Sequence, residues 1–466
     1  MQILDELKNI LGNALLDERE AASGQHYFQV FSEKLPDAVE KVSRSGNWRF
    51  LFLTAVRQKD SLRLLYGFSA GSIMMVLECS LEGGCASFPS ITPIIPSASL
   101  FEEEIAATLG LTFSGHLGFS PKAAGEAEGE IVLSPQAILP SLVEPAGFSI
   151  VLTNEKVRLF RWEGFFIRRG IERLGEEALD YGALPFAAER ICALAGFSHS
   201  TAFCRAVEAA IALEAPPRAR AVRTILLELE RIKSHLLWLG LAGRIAGFET
   251  FFMQAFRMRE PLMWLSESLC GNRMNCGLNR VGGLESDIRP EGLSELVITL
   301  EELEHDLERF TRAFSQDLLF RKKFKNCGTL SREDALRLGA VGAVARASGM
   351  EFSGDAPARF FVRLAEISES IGLIHSVLTA MPEGPIFSPA GAIQPGREGF
   401  GLAEGPEGEV IHYVRTGEKN RPASWRVRSP EIMNLQAAAT ALPGTSREDL
   451  PTALWSFNPC FSCLER

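Results

Sequence analysis

The chain lacks both a long apolar run and a basic stripe. No uninterrupted apolar segment reaches the roughly 18 residues that a membrane-spanning helix needs, and no basic region followed by an apolar stretch marks the N-terminus as a signal peptide. Lys and Arg number 48 against 58 Asp and Glu, which gives a formal net charge of -10, whereas nucleic acid and anionic membranes select clustered cations. We therefore expect a cytosolic or peripheral chain that does not bind nucleic acid.

Cysteine is scarce and unevenly placed. Nine cysteines, an odd number in a chain of 466 residues, do not form an extracellular disulfide framework, so we expect reduced thiols, some of them possible ligands. No cysteine run has the spacing of an iron-sulfur site, and no GxGxxG fingerprint follows a predicted strand. A cluster within this chain and direct dinucleotide binding are therefore not indicated.

The length and the 46% hydrophobic content allow two or three domains. Residues 1–120 combine helical periodicity at the start with strand-like runs at 48–53 and 72–77, which predicts a small α+β domain. Residues 117–130 are rich in Gly, Ala and Glu, as linkers are, and we assign 121–147 as a linker and the loop that leads into the second domain. Residues 148–466 would form that domain.

The second domain is predicted to be mainly helical. Apolar residues recur with the helical period over 221–241, 253–269 and 294–318, and such helices pack naturally as a bundle. Short strands are predicted at 148–152 and 157–160 before the bundle, and at 410–414 and 425–428 after it. The fold class is therefore α+β, a small α+β domain followed by a helical bundle with peripheral β segments.

Two segments carry possible metal chemistry. Cys192 precedes His199 by seven residues, close to two helical turns, so the two could share a helix face and serve a metal and its surroundings. Cys460 and Cys463 form a CxxC motif, but no second CxxC exists to complete a zinc site. Buried core cysteines are the simpler alternative, and it is our expectation for the remaining six, which have no ligand spacing: Cys79, Cys85, Cys204, Cys270, Cys276 and Cys327.

The two cysteine segments resemble the two ends of a nickel-iron hydrogenase active site. Further motifs follow in the order of that family: Arg169–Leu174 is similar to RGxEKL, and Arg223–Leu236, Gly271–Arg273, Gly282–Gly283, Ala345–Gly349 and Gly408–His412 continue the pattern. Residues 165–466 thus resemble the large subunit of membrane-associated, energy-converting (group 4) hydrogenases and the larger subunit beside the quinone pocket of complex I. Through Leu100–His116, residues 1–120 resemble the neighbouring, smaller complex I subunit. The whole chain is similar to the fused C/D form found in formate hydrogenlyase.

The resemblance implies an oxidoreductase subunit with defined partners. A complex I-type small iron-sulfur subunit would carry a 4Fe-4S cluster, and membrane-arm subunits, antiporter-like for protons or sodium, would anchor the complex on the cytoplasmic side of the inner membrane. The family's nickel-iron centre uses four thiolates, of which Cys192, Cys460 and Cys463 match three. Ala195 stands in place of the fourth. Glu172 matches a glutamate that passes protons between the metal and solvent.

Other departures from the family fall on functional positions. Glu407 replaces an arginine that overhangs the metals, Asn458 replaces an aspartate, and Arg168 replaces a histidine. Residues 134–137 and 144–147 lack the histidines of the corresponding family loop. Losing a bridging thiolate and placing a carboxylate beside an anionic iron group are both unfavourable, so we expect the nickel-iron centre to be absent or incomplete.

Three hypotheses remain from the sequence. In the first, the chain is a redox subunit that transfers electrons between the iron-sulfur partner and an acceptor, a quinone, a sulfur compound or another molecule. The candidate residues are Glu172, His199 and Glu407, with the three cysteines listed above. In the second, it is a true hydrogenase with an altered metal site. In the third, it is a non-catalytic structural subunit. Glu172 could also be a plain helix-surface carboxylate. The chain ends three residues after Cys463, so no cleavable maturation tail is expected.

Overall fold

The structure is a computed structural model of a mixed α+β protein. About 50% of it is helical and 21% is strand, which confirms the predicted fold class. None of the helices in the described part of the chain is both long and apolar enough to cross a membrane. The described residues are 2–21, 24–58, 61–81, 87–116, 131–133, 147–162, 168–274, 276–315, 325–349 and 353–466.

The N-terminal region is built on a five-stranded sheet of order β1-β2-β5-β4-β3. Its neighbouring strands are antiparallel except for β2 and β5, which are parallel. The glycine after the third helix, Gly110, has φ 71° and ends that helix in the left-handed conformation. The elements are α1 (Gln2–Leu11), β1 (Leu15–Glu20), β2 (His26–Val30), α2 (Leu35–Arg44), β3 (Arg49–Gln58), β4 (Ser61–Ala70), β5 (Ile73–Leu81), β6 (Ser87–Pro89), α3 (Ser99–Leu109) and β7 (Thr112–Ser114).

A three-stranded antiparallel sheet precedes the helical bundle. It consists of β8 (Ile131–Leu133), β9 (Phe148–Thr153) and β10 (Lys156–Trp162), in the order β10-β9-β8. The strands predicted at 148–152 and 157–160 are therefore present. The predicted linker lies mostly outside the described residues.

The bundle is centred on one long helix that is buried along most of its length. This helix, α7, contacts α8 and α12, and its charged residues Glu228 and Arg231 pair at 3.4 Å inside the bundle. The helices predicted at 221–241 and 253–269 lie within α7 and α8, and the third prediction matches α9 up to residue 315. The elements are α4 (Ile171–Glu177), α5 (Leu184–Glu189), α6 (Gly196–Ala210), α7 (Pro217–Ile245), α8 (Glu249–Cys270), α9 (Pro290–Ser315), α10 (Arg332–Arg337), α11 (Gly342–Ala347) and α12 (Ala356–Thr379).

The C-terminal region packs a small antiparallel sheet on the bundle. Gly399 and Gly401 of β13 lie so close to α6 that a Cβ at either position would overlap the backbone oxygens of Ala206 and Ala202. This approach brings α6 against the middle strand, β14. The elements are β11 (Asn279–Arg280), β12 (Gly283–Leu284), β13 (Glu398–Gly405), β14 (Gly408–Thr416), β15 (Pro422–Arg428), α13 (Glu431–Ala441), α14 (Leu450–Ser456) and α15 (Phe461–Leu464).

The N-terminal sheet docks on the C-terminal one through its edge strand β3. Arg426 and Arg428 of β15 donate hydrogen bonds to the carbonyls of Ala55 and Leu51 on β3, at 3.3 and 3.1 Å. These bonds satisfy backbone oxygens that an edge strand otherwise leaves open. The two sheets therefore hold each other in place, and the C-terminal one also contacts the helix that carries His199.

Candidate active site: a cluster of three thiols

Three cysteines from distant parts of the chain form one group, which we call the thiol cluster: Cys192, Cys460 and Cys463. The Sγ atom of Cys460 lies 3.6 Å from that of Cys192 and 3.1 Å from that of Cys463, and all three sulfur atoms lie within 4.8 Å of one another. Cys192 and Cys463 are buried, and Cys460 is half-buried. The fold therefore brings together the cysteines that the sequence pattern selected.

The local structure around Cys192 differs from the prediction. Helix α5 ends at Glu189 and α6 begins at Gly196, so Cys192 lies in the turn between them and shares no helix face with His199. The expectation of one continuous helix was wrong. The turn instead lets the Ala195 amide donate to Cys192 Sγ at 3.2 Å, while His199, one turn into α6, reaches Cys463 with Nε2 3.8 Å from Sγ.

Ala195, which stands where the family pattern has the fourth thiolate, packs beside the thiol cluster. It is buried, and it belongs to the same small apolar cluster as the three cysteines. A methyl group cannot bind a metal, so the residues present do not fit a nickel-iron centre with four thiolates. They fit a single thiophilic ion better, because thiolates about 2.3 Å from a tetrahedral ion lie about 3.8 Å apart.

Three buried aromatic side chains, Trp425, His412 and His199, are joined by hydrogen bonds that lead to the thiol cluster. Trp425 Nε1 lies 3.1 Å from His412 Nδ1, and His412 Nε2 lies 3.1 Å from His199 Nδ1. Because an indole can only donate, His412 must carry its proton on Nε2, and His199 must then carry its proton on the nitrogen that faces Cys463. Burial lowers the pKa of His199 to about 4 and that of His412 well below its usual value. Both rings are therefore neutral at pH 7, and the chain directs an N–H group at a sulfur.

Two of the departures from the family pattern contact each other. Glu407 lies at the tip of the β13–β14 hairpin, and its carboxylate accepts a hydrogen bond from the side-chain amide of Asn458. An aspartate at position 458 would repel this carboxylate, whereas the amide can donate. The positive charge comes from Arg363 of α12, whose Nη2 lies 3.1 Å from Glu407 Oε2. Burial raises the pKa of Glu407 in spite of these partners.

Glu172 is half-buried and lines a cleft between the N-terminal and C-terminal parts of the chain. Its Oε1 atom accepts hydrogen bonds from the Val427 amide at 2.8 Å and from Arg466 Nε at 3.0 Å. Arg466 also donates to Glu104 of the N-terminal domain at 3.0 Å. The cleft has a volume of about 740 Å³ and is lined by both domains. Glu172 is therefore held by a backbone hydrogen bond and by ion pairs with Arg466 and Arg426.

Comparison with known proteins matches two parts of the chain to two families. The family of the 30 Kd subunit of the respiratory-chain NADH dehydrogenase matches residues 28–120, and that of its 49 Kd subunit matches residues 246–353 and 386–466. The membrane-bound hydrogenase subunit alpha of Pyrococcus furiosus is 32% identical, over 71% of this chain and 86% of that protein. The chain belongs to the family of large subunits that membrane-bound hydrogenases share with complex I.

Two further relatives of this family extend the comparison. Hydrogenase-4 component G of Escherichia coli is 29% identical, over 100% of this chain and 92% of that protein. The structure of the membrane-bound sulfane sulfur reductase, an archaeal respiratory membrane complex, contains a chain with a TM-score of 0.66 and 25% identity, covering 72% of this chain and 98% of that one. The relatives are large subunits of membrane-bound group 4 hydrogenases and complex I-like complexes, so the predicted family is confirmed.

Two carboxyl groups that lie near the thiol cluster, Glu431 and Glu230, were not among the residues selected from the sequence. Glu431 at the start of α13 is buried, and its Oε2 has no hydrogen-bond partner among the described residues. Burial, and then the charge on Cys192, raise its pKa well above the usual value. Glu230 of α7 accepts hydrogen bonds from the amides of Phe197 and Ser198 at 2.6 and 2.9 Å, yet burial raises its pKa to about 8.

The sequence could have indicated burial for only one of these two carboxyl groups. Glu230 lies in a part of α7 where four other charged residues are also buried: Arg223, Glu228, Arg231 and Lys233. A charge inside a buried helix is uncommon unless it is paired. Glu431 follows a strand and a proline, which is an ordinary place for an exposed residue. Its position depends on how β15 and α13 meet, and no local pattern shows that.

Proposed function

We propose that this chain is the large subunit of a membrane-associated oxidoreductase in which electrons pass between an iron-sulfur subunit and an acceptor at the thiol cluster, without a nickel-iron centre. The observation that supports this most directly is the convergence of Cys192, Cys460 and Cys463 beside Ala195. Three thiols remain assembled where the fourth ligand has become a methyl group. The site therefore has thiol chemistry but lacks the ligand set of the dinuclear centre.

The partners follow from the relatives, which belong to multi-subunit membrane complexes. A complex I-type small subunit with a 4Fe-4S cluster would exchange electrons with the thiol cluster. Antiporter-like and anchor subunits would hold the chain at the cytoplasmic face of the inner membrane. These assignments are part of the proposal, as is catalysis by this chain.

The surrounding residues have roles that their geometry suits. The His199 N–H group points at Cys463 and can donate a hydrogen bond to that sulfur. Glu407, with Arg363 and Asn458, fixes the loop before Cys460. Glu172 lies where protons could pass between the site and the inter-domain cleft.

The first test replaces both cysteines of the CxxC motif. The double variant Cys460→Ser and Cys463→Ser, in the assembled complex purified anaerobically, should lose electron transfer to the acceptor. The matched control is Cys270→Ser, a half-buried cysteine outside the cluster. Elemental analysis of the unmodified complex should find iron at the level of the partner clusters and no stoichiometric nickel.

Two results would contradict the proposal in different ways. Stoichiometric nickel would show that the chain is a hydrogenase with an altered metal site. Electron transfer that survives the double substitution would show that the chain is a structural subunit. The Cys270→Ser complex should match the unmodified one in either case.

A sulfur compound is the acceptor that the geometry favours. The sulfur atoms are 3.1 and 3.6 Å apart, and bonded sulfur atoms lie about 2.0 Å apart. Only a small movement is therefore needed to form a disulfide. The similar archaeal complex is itself named a sulfane sulfur reductase. A polysulfide that reaches Cys460, the half-buried member of the cluster, would meet a second thiol at each side.

The reaction can be written with balanced atoms and electrons. A thiolate of the cluster takes one sulfane sulfur atom from a polysulfide and becomes a persulfide. A neighbouring thiol displaces hydrosulfide and forms a disulfide with the first sulfur. Two electrons from the reduced iron-sulfur partner and one proton then restore the thiolate and the thiol. The sum is one sulfane sulfur, two electrons and one proton giving hydrosulfide.

The measurement is hydrosulfide release from polysulfide by the reduced complex. Release should depend on Cys460 and Cys463 and persist in Cys270→Ser. Reduction of a quinone analogue by the unmodified complex that is lost in the double variant, with no hydrosulfide formed by either, would rule out the sulfur acceptor and keep the thiol cluster as the site.

A further inference from the structure

One arginine joins the two segments that carry the thiol cluster. The guanidinium group of Arg169 donates to the carbonyls of Arg190 at 2.8 Å and Ile191 at 2.6 Å, directly before Cys192. It also donates to the carbonyl of Ser462 at 2.6 Å, directly before Cys463, and to that of Glu465 at 3.3 Å. Four backbone oxygens from two distant segments thus meet on one side chain.

The chemistry of the side chain suits this task. A guanidinium is planar and carries five N–H donors in a fixed fork, so it can bond several oxygens at once without being rearranged. All four of these acceptors are backbone carbonyls, so the bonds depend on where the chain runs and do not depend on other side chains. Because the carbonyls of Ile191 and Ser462 belong to the residues before Cys192 and Cys463, the guanidinium sets the separation of these two cysteine backbones.

The backbone on both sides of Arg169 has the unusual shape that this placement needs. Arg168 has φ 37° and Gly170 has φ 71°, so left-handed residues lie immediately before and after Arg169. A non-glycine residue rarely adopts such a φ without support. The support comes from the same place, because the Arg168 amide donates to Glu465 Oε2 at 3.1 Å and the Arg169 amide donates to the Glu465 carbonyl at 2.9 Å.

We propose that Arg169 is the positioning residue of the thiol cluster: it ties the Cys192 turn to the Cys460–Cys463 segment and so keeps the three sulfur atoms within reach of one another. The inference deepens the proposed function and rests on the thiol cluster being the site. It does not require any particular acceptor. A metal that binds thiolates reports on the cluster directly.

The structure offers a matched control four residues further along the chain, in α4. Arg173 is also exposed, and its guanidinium pairs with Glu177 at 2.7 Å. Arg169 itself is on the surface, so its replacement leaves no cavity in the core. Arg169→Met removes all the donors, Arg169→Lys keeps the charge but has no planar fork, and Arg173→Met removes an equal charge from the same surface.

The experiment titrates Cd²⁺ into the reduced full-length chain and follows the ultraviolet absorption of cadmium-thiolate bonds. Losing a contact that orients ligands costs about 10- to 100-fold in metal affinity, so Arg169→Met should bind Cd²⁺ more weakly by about that factor. Arg169→Lys should lie between it and the unmodified chain. Arg173→Met should match the unmodified chain, and Cys460→Ser identifies the signal of the cluster.

The outcomes separate the inference from the proposed function. Equal Cd²⁺ affinity in Arg169→Met and the unmodified chain would overturn the positioning role and leave the site in place. If Cys460→Ser gives the same cadmium-thiolate signal as the unmodified chain, the thiol cluster is not the metal-binding site. Both proposals would then be overturned. If Arg169→Met does not fold, as judged by circular dichroism, Arg169→Lys decides the question. Affinity equal to that of the unmodified chain would then contradict the role, and weaker binding would support it.

Discussion

Two groups of ionisable side chains in this protein differ in whether charge pairing or burial determines their pKa values. The first, which we call the interface ion cluster, joins the domains and consists of Arg19, Arg63, Glu78 and Glu398. Burial alone would raise the pKa of Glu398, but Arg63 and Arg19 outweigh it and lower the pKa below its usual value. Glu398 is therefore charged at neutral pH, and its charge is paired with those of Arg63 and Arg19.

The second group surrounds the thiol cluster, and there burial outweighs pairing. It raises the pKa of Glu407, Glu431 and Glu230, and it lowers the pKa of His199 and His412. Groups whose pKa burial shifts away from the usual value are typical of functional sites, whereas fully paired charges are typical of structural contacts. The comparison therefore separates a paired, structural contact from a site where burial favours the neutral forms of the ionisable groups.

The largest effect on stability should come from breaking the interface ion cluster. Arg63 is buried and pairs with Glu398 and with Glu78, the latter at 3.2 Å. The variant Arg63→Met leaves two buried carboxylates with the partly exposed Arg19 and, for Glu398, the more distant Arg415 at 3.7 Å. We expect a loss of roughly 3–5 kcal/mol in the free energy of unfolding. Denaturation by urea at pH 7 measures it.

A double variant separates unpaired charge from lost packing. Arg63→Met combined with Glu398→Leu removes both charges of the main pair, and apolar replacements of whole buried pairs are often neutral. Most of the loss should therefore be recovered. A single variant as stable as the unmodified chain would show that the cluster does not hold the domains together.

The next effect concerns the thiol cluster and is measured as affinity. The variant Ala195→Cys should supply the missing fourth thiol, because Ala195 lies in the same buried cluster as the other three cysteines. Cd²⁺ affinity should rise by more than the roughly 10- to 100-fold that a ligand-orienting contact contributes. The control Ala195→Ser has nearly the same volume and no thiol. Equal affinity in both variants would mean that position 195 does not face the bound ion.

Some features of the structure could be predicted from the sequence and others could not, for physical reasons. Helix α7 and strands β9, β10, β14 and β15 were predictable because their apolar periodicity is local. The pairing of Cys192 with the CxxC motif required a family pattern, since residues so far apart leave no mark on each other's neighbourhood. The turn at Cys192 was mispredicted because helical spacing persists across the break between α5 and α6.

The hydrogen bonds that support the site could not be predicted from the sequence. Glu407 and Asn458 were recognisable as departures from the family, but their mutual hydrogen bond depends on where the β13–β14 hairpin ends. Arg169 belonged to a recognisable motif, yet its four acceptors are backbone oxygens. Carbonyls are present at every residue, so no side-chain pattern identifies which of them an arginine will bind.

A smaller effect with a defined pH dependence is expected at Glu366, in the bundle beside the site. Its carboxylate lies 2.7 Å from His235 Nε2 and also pairs with Arg346. Burial opposes ionisation, but His235 and Arg346 outweigh it and lower the pKa of Glu366 to about 2. The variant Glu366→Gln should lose about 1–3 kcal/mol at pH 7.

The pH dependence of this loss has a definite sign. A folded pKa of about 2 lies below the usual value of about 4.3 for glutamate, so ionised Glu366 stabilises the fold fully above pH 4.3 or so. This contribution disappears as the pH falls toward 2. The difference in unfolding free energy between the variant and the unmodified chain should therefore shrink over that interval. A difference that is constant from pH 7 to pH 3 would show that Glu366 acts through shape alone.

The smallest effect should come from a second ion pair of the same domain interface. Arg49 Nη2 lies 3.0 Å from Glu409 Oε2, but the Arg49 side chain is 44% exposed, against 8% for Arg63. Solvent screens such a pair, so Arg49→Gln should cost only about 0.2–1 kcal/mol, and added salt should reduce that cost further. Urea denaturation of Arg49→Gln and Arg63→Met, each at low and high salt, measures the contrast. Because both pairs join the same two domains, equal losses in the two variants would mean that domain separation sets stability; unequal losses would show that desolvation of the individual charges sets it.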